Sequence, residues 1–237
     1  MSAVSRSPEL AIVHEDGDIV VIRKPVGLLA VPIKGARARN AKDLLSAQLA
    51  RKGQKAIVVH RIDLYTSGLM VFAKHRAAHA HLVRQFLAHT PTRVYLTLVR
   101  GHPDPPEGEL RHYLKLTAYG FRQVVVPGEK EGGTLAITRY RVLELMPRAT
   151  LVEAQLVTGL KNQIRVQFAV SGMPIVGDRH YVASEKDTRE INYQALHAFR
   201  LGFVHPRTER YVEFAAEPPK EFARLVEAYR RQKRASE

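Results

Sequence analysis

The first ninety residues alternate between short β-branched runs and amphipathic stretches. Ala11-Ile12-Val13 and Ile19-Val20-Val21-Ile22 flank the turn-like Glu15-Asp16-Gly17-Asp18, a pattern that predicts a hairpin. Lys24-Pro25-Val26-Gly27 opens a Pro/Gly-containing loop with several basic residues that runs to Asn40. From Lys42 to Lys52, Leu44, Leu45 and Leu49 fall on one face of a helix. Ala56-Ile57-Val58-Val59 and Leu69-Met70-Val71-Phe72-Ala73 read as strands, with Thr66-Ser67-Gly68 as the turn before the second. His75 to His89 follows as an amphipathic helix whose buried side carries Leu82, Phe86 and neighbouring alanines.

The middle of the chain changes character. Arg93 to Arg100, Leu110 to Ala118, Arg122 to Val126, Thr134 to Leu145 and Thr150 to Leu156 have alternating or β-branched patterns, separated by turns such as Pro127-Gly128 and Gly132-Gly133. Asn162 to Gly172 reads as a helix stopped by Gly172 and Pro174. Late strands are expected at Leu196 to His205 and Tyr211 to Ala215, and a closing helix near Pro218-Pro219. Sequential strands with helices inserted among them predict an α+β fold with a largely antiparallel sheet.

Composition narrows the function. The 237 residues, 45% of them hydrophobic, suffice for a sizeable core. No apolar run approaches the ~20 residues of a membrane span, and MSAVSRSPEL lacks the apolar core of a secretion signal, so a cytoplasmic protein is expected. Zero cysteines exclude disulfides, thiolate metal sites and a cysteine nucleophile. The formal net charge of +14 points to a polyanionic partner, and nucleic acid suits it better than a membrane. The most basic helix candidate, EFARLVEAYRRQKRASE, interleaves acidic residues with its basic ones, unlike a membrane-surface helix.

The segment VVHRIDLYTSGLMVFAK, Val58 to Lys74, carries the strongest chemical signal, because it holds one carboxylate, Asp63, between two β-rich runs. With Arg61 two residues earlier, Asp63 reads either as a loop cap or as a reactive carboxylate kept ionised by a cationic partner. The segment alone leaves both open.

HRIDLYTSG resembles the HRLDxxTSG signature of the RluA-type RNA pseudouridine synthases, with Ile62 where Leu is usual. Three further segments are similar to that family, in its order. RVYLTLVRG (Arg93 to Gly101) resembles its K-x-Y-x-A-L-V-x-G strand. LVTGLKNQIRVQFAVSGMPIVGDRHY (Leu156 to Tyr181) resembles its L-x-TGR-x-HQIR-x-H…GHPIVGD-x-x-Y run, and LHAFRLGFVHPRT (Leu196 to Thr208) its LHA…L-x-F-x-HP-x-T segment.

The resemblance implies a mixed, largely antiparallel sheet with flanking helices and a central RNA-binding cleft. It also implies a compact RluA-like branch without an S4 domain: a tail over 1–9, then a single catalytic domain over 10–237 ending in a basic C-terminal helix. The implied activity is isomerisation of specific uridines in structured RNA, a stem-loop of tRNA, of large-subunit ribosomal RNA or of both, with the target nucleotide flipped out of its stack. The enzyme is expected to be monomeric. No cofactor is implied, because the glycosidic bond is broken and a carbon–carbon bond made within one nucleotide.

By the same resemblance Asp63 is the catalytic aspartate, Arg165 of QIR the arginine that pairs with it, and Tyr95 the active-site tyrosine whose ring stacks on the extruded uracil. Arg61 matches the arginine that helps to fill the space the nucleotide leaves. Whether Asp63 attacks the ribose or the base, or assists a glycal route, stays open. Lys34, Arg37 and Arg39 in the first loop, Arg84 on the second helix and Lys161 before the third are candidate phosphate contacts. Thr158-Gly159 is either a phosphate-facing backbone or an ordinary lead-in to the helix. His60 reads as structural.

His75 and His79 have helical i, i+4 spacing but no accompanying His-Glu-x-x-His pattern, so no metal is expected. The chain departs from the family pattern at Leu160, Asn162 and Gln167, where Arg, His and His are usual. The alternative from another class is a non-catalytic RNA-binding or ribosome-assembly protein on the same fold. A two-carboxylate glycosidase would need a second acid beside Asp63, where the motifs offer arginine and tyrosine.

Overall fold

The computed structural model describes residues 9–35, 37–118, 122–181 and 190–234, so all but Glu9 of the expected N-terminal tail lies outside the described residues. Two compact units make up the chain: Met1–Pro91 with Leu201–Ala216, and Thr92–Arg200 with Glu217–Glu237.

The first unit opens with β1 (Ala11–Glu15) and β2 (Ile19–Lys24), the expected hairpin, followed by helix α1 (Ala41–Ala50) and the short strand β3 (Ile57–Val58). Strand β4 (Ser67–Ala73) pairs antiparallel with β2 from Ile19↔Ala73 to Lys24↔Gly68, and with β3 at Ile57↔Ala73. Every residue of β4 is buried, which explains its unbroken apolar run. Ser67 and Gly68, expected in a turn, therefore belong to the strand. The ladder reaches Lys24↔Gly68 and overrides their local turn preference, and the chain turns earlier, at Leu64-Tyr65.

Helix α2 (Arg76–Leu87) lays Ala78 and Leu82 onto Ile19, Val21, Leu69, Val71 and Ala73, joined by Leu201 and Phe203. A leucine as buried as Leu82 contributes about 2 kcal/mol of apolar burial, and several such residues hold the sheet face against the helix. His75 caps α2: its side chain accepts the Ala78 N–H at 3.3 Å while its Nε2 meets Asp18 at 2.8 Å. His79 reaches the Val58 carbonyl at 3.1 Å, so the two histidines serve separate structural contacts.

The second unit carries the long antiparallel strands as expected: β5 (Thr92–Arg100), β6 (Glu107–Leu116), β7 (Gln123–Val126), β8 (Thr134–Met146) and β9 (Ala149–Leu156), side by side in the order β5-β9-β8-β6-β7. Helix α3 (Gln163–Val170) packs on this sheet through Val166 against Leu114 and Ala136. Strand β10 (Leu196–Val204) carries the chain from the second unit back to the first, where β11 (Tyr211–Ala215) pairs with it. Helix α4 (Lys220–Arg234) buries Phe222, Leu225, Val226 and Tyr229 at helical spacing and is tied to β8 by Arg230, whose Nη2 donates to Glu144 at 2.7 Å. Among the described residues no helix is long and apolar enough to cross a membrane.

Candidate active site

Asp63 lies in the loop between β3 and β4, and a lysine holds that loop in shape. Lys24, the last residue of β2, is fully buried, and its Nζ donates to three carbonyls: Pro25 at 3.0 Å, Leu28 at 2.8 Å and Leu64 at 3.0 Å. Three N–H bonds meet three acceptors, which fits the ammonium form. The Leu64 carbonyl also accepts the Gly27 N–H at 3.0 Å, and the Thr66 N–H closes a turn on the Asp63 carbonyl at 3.1 Å. Burial pulls Lys24 down from its ordinary 10.5 to about 7, against an upward pull from the Asp63 carboxylate. Lys24 is therefore a cation that acts on Asp63 within this unit. Arg61, which the sequence offered as that partner, is exposed and makes no ion pair among the described residues.

The same clamp positions the basic loop. Leu29 bridges to Asn40, and the Ala41 N–H reaches the Leu29 carbonyl at 2.7 Å, closing the segment between them at its base. Asn40 then starts α1 by accepting the Asp43 N–H at 2.9 Å. Lys34, Arg37 and Arg39 project from this closed loop, exposed to solvent, and the loop's root lies against Leu64, one residue from Asp63. Arg84 is exposed in the last turn of α2, where it complements the helix C-terminus, and no described contact ties it to the Asp63 loop. His60 is structural as expected: its Nε2 accepts the Val71 N–H at 3.1 Å and its ring stacks on Phe86 with centroids 4.5 Å apart.

In the second unit Arg165 is built into α3 and is 6% exposed. Its Nε and Nη2 donate to the two oxygens of Asp178 at 2.6 and 3.0 Å, a bidentate fork, and its Nη1 donates to Asn162 Oδ1 at 3.0 Å. The guanidinium also sits over the Tyr181 ring, 5.3 Å from its centroid. Asp178 is fully buried and accepts the N–H groups of His180 and Tyr181 at 2.8 and 3.2 Å, so its charge is compensated from several sides. Gly177 makes that placement possible, because at φ 77° its Cβ would lie 2.2 Å from the Tyr193 carbonyl.

Tyr95 stands on β5 opposite Ala154, 9% exposed, on the same face as Arg93. Arg93 is buried, which lowers its pKa against a pull from Tyr95, and its Nη2 donates to the carbonyls of Val157 and Thr158 at 3.4 and 3.3 Å. A Cβ on Gly159 would come within 2.3 Å of that guanidinium, so the glycine lets the turn close over it. Thr158 donates to Gln163 Oε1 at 2.8 Å, and the same oxygen takes the Leu160 N–H at 2.9 Å. Thr158-Gly159 thus forms a capped helix lead-in with the Leu160 N–H already used. Lys161 follows it, partly buried.

The three departures from the family pattern are structural in this chain. Leu160 packs with Val166, Leu114 and Tyr181. Asn162 takes the left-handed conformation at φ 54°, which asparagine tolerates, and its side chain joins Arg165 to the Tyr181 hydroxyl. Gln167 is buried, accepting from Thr138 at 2.7 Å and donating to the carbonyls of Leu110 and Ala136 at 2.9 and 3.0 Å, which fixes α3 to β6 and β8.

Sequence reasoning missed Lys24, Asp178 and Tyr181. The last two lie inside a quoted motif, GDRHY, but nothing local marks an aspartate as an arginine's partner. Lys24 carried no signal beyond a lysine ending an apolar strand. Its environment makes a testable prediction. Between pH 7 and 10.5 the unfolded chain holds more of this proton than the folded one, so Lys24 contributes rising stability across that window and none of the slope below it. The unfolding free energy of the wild type minus that of Lys24→Met is expected to climb by up to about 1.4 kcal/mol per pH unit there. Denaturant titrations at pH 6, 8 and 9.5 check it, and a falling difference would mean that the folded chain holds the proton more tightly than the unfolded one, contradicting a pKa lowered by burial.

Asp16, Asp18 and His205 bring three possible metal-ligand atoms within 4.8 Å of one another. The contacts describe a hydrogen-bonded knot instead. His205 Nδ1 accepts the N–H groups of Arg207 and Thr208, each at 3.2 Å, so the ring hydrogen sits on Nε2 and points at Asp16, 2.9 Å away. A metal at Nε2 would move that hydrogen to Nδ1, against two backbone donors. Burial alone would raise the Asp16 pKa, but bonds from His14, the Ile19 and Asp18 N–H groups and His205 outweigh it and hold the carboxyl well below the usual range.

Comparison with known proteins finds clear relatives of this chain. The sequence model of the family described as RNA pseudouridylate synthase matches residues 18–170. An uncharacterized RNA pseudouridine synthase of Bacillus subtilis, YlyB, is 36% identical over 236 residues, 98% of this chain and 76% of that protein. The dual-specificity RNA pseudouridine synthase RluA of Escherichia coli O157:H7 is 36% identical over 215 residues, 89% of this chain and 94% of that protein. Human RNA pseudouridylate synthase domain containing 4 has the same fold, with a TM-score of 0.77 at 24% identity over 93% of both chains.

Proposed function

This chain belongs to the RNA pseudouridylate synthase family and is an isomerase that forms pseudouridine in RNA, and from that premise we propose that Asp63 is its catalytic residue, with Tyr95 and Arg165 completing the catalytic set. The observation that carries the reading is the clamped loop. A carboxylate that must meet one particular uridine needs a fixed backbone, and Lys24 binds the residue after Asp63 and the root of the basic loop together. Asp63 acts as nucleophile or base. Tyr95 offers a ring for the flipped uracil, and Arg61 occupies the space it leaves.

The substrate is a structured RNA, with stem-loops of tRNA and large-subunit ribosomal RNA as the first candidates, and the protein works as a cytoplasmic monomer without a cofactor. Purified protein incubated with unmodified transcripts of both RNAs, followed by pseudouridine mapping, tests this. Modification in neither transcript would refute the choice of substrate.

Lys34, Arg37, Arg39, Arg84 and Lys161 neutralise phosphates. Each neutralised phosphate releases counterions, so affinity falls as salt rises. Replacing Lys34, Arg37 and Arg39 together by alanine is expected to weaken binding and to reduce the slope of log affinity against log salt by about two. An unchanged slope, measured by filter retention, would make these three ordinary solvated charges.

A further inference from the structure

We propose that Tyr65 is a base-stacking residue that grips a nucleotide flanking the target uridine. This rests on the reading of Asp63 as the catalytic carboxylate. Two aromatic residues are exposed among the described residues, Tyr65 at 43% and Tyr211 at 55%. Their surroundings differ. The Tyr211 hydroxyl donates to Glu213 at 3.0 Å and lies close over Gly202, where a Cβ would come within 2.0 Å of it. Tyr65 makes no hydrogen bond, ion pair or ring contact among the described residues, and its side chain is exposed.

A single exposed tyrosine needs no explanation in itself. What distinguishes Tyr65 is how its backbone is held. The Leu64 carbonyl before it is gripped by Lys24 and by the Gly27 N–H, Thr66 after it is 2% exposed with its N–H on Asp63, and Ile62 is 7% exposed. The turn that carries Asp63 therefore also aims Tyr65 outward, in a segment where Arg61 is exposed as well. A rigidly presented ring two residues from the reacting carboxylate loses little conformational freedom on stacking against a base. The matching motif leaves position 65 open, so the residue there is suited to selecting among RNAs. The class of ligand is an unstacked nucleobase, a purine by preference for its larger face.

The chain contains no tryptophan, so Tyr65→Trp introduces a single reporter. Titrating this variant with tRNA and large-subunit ribosomal RNA transcripts is expected to quench its emission in step with binding followed by filter retention, whereas Tyr211→Trp stays bright. Tyr65→Phe should bind as the wild type does, since the hydroxyl is not used, and Tyr65→Ala about tenfold more weakly. Unquenched Tyr65→Trp on bound RNA, equal quenching of both reporters, or undiminished affinity of Tyr65→Ala would each overturn the stacking role. The outcome is separable from that of the catalytic reading. Fluorescence needs only binding, so quenching on an RNA that the wild type fails to modify would support the stack while refuting the assigned substrate.

Discussion

Asp63→Asn is expected to abolish pseudouridine formation, by about a thousandfold or more, and to leave RNA affinity within a few-fold of the wild type. The amide keeps the size and shape of the carboxylate, and backbone carbonyls accept hydrogen bonds that shape the turn: that of Asp63 from the Thr66 N–H, and that of Leu64 from the Gly27 N–H and Lys24 Nζ. The negative charge is lost, and an amide is neither a useful nucleophile nor a base. Removing that charge also takes away the influence that raises the Lys24 pKa, so Lys24 should titrate lower in the variant. Single-turnover assays at saturating RNA, alongside filter retention, separate the two effects. Near-normal turnover would remove Asp63 from the chemistry, and a parallel loss of binding would make it a scaffold residue.

Arg165→Met is expected to cost about 3 kcal/mol or more of stability together with at least a hundredfold of activity, because it strands the buried Asp178 carboxylate without its forked partner. The double variant Arg165→Met with Asp178→Asn separates scaffold from chemistry. With the second charge neutralised, denaturant unfolding should show most of the stability regained. Activity should not return if Arg165 itself serves the reaction. Recovery of both would make Arg165 only a packing element. Lysine is no substitute at this position, since one ammonium cannot meet both Asp178 oxygens and Asn162 with the planar geometry of a guanidinium.

Local physics was legible before any coordinates. Strand and helix periods placed nearly every element within a few residues, because a buried face imposes its period wherever it occurs: β4 is an unbroken apolar run, and α4 buries residues at i, i+3, i+4 and i+7. The Asp63 segment, the charge of the first loop and the family were legible too, since each rests on residue identity over a short stretch. Ser67 and Gly68 were misjudged as a turn, because the ladder that holds them in the strand pairs Gly68 with Lys24, which is distant in sequence.

The remainder depended on tertiary contacts. Lys24 became the clamp of the Asp63 loop because folding brings Leu64, forty residues away, to its ammonium and removes water from both. Asp178 became the partner of Arg165, thirteen residues away, because a glycine with a positive φ let the chain pass close to Tyr193 and turn its carboxylate toward the guanidinium. The sequence by itself determined which groups could do chemistry. The structure decided which are held still and by what, because a buried charge is stabilised by whatever dipoles and counter-charges the fold brings to it, and no local pattern encodes those.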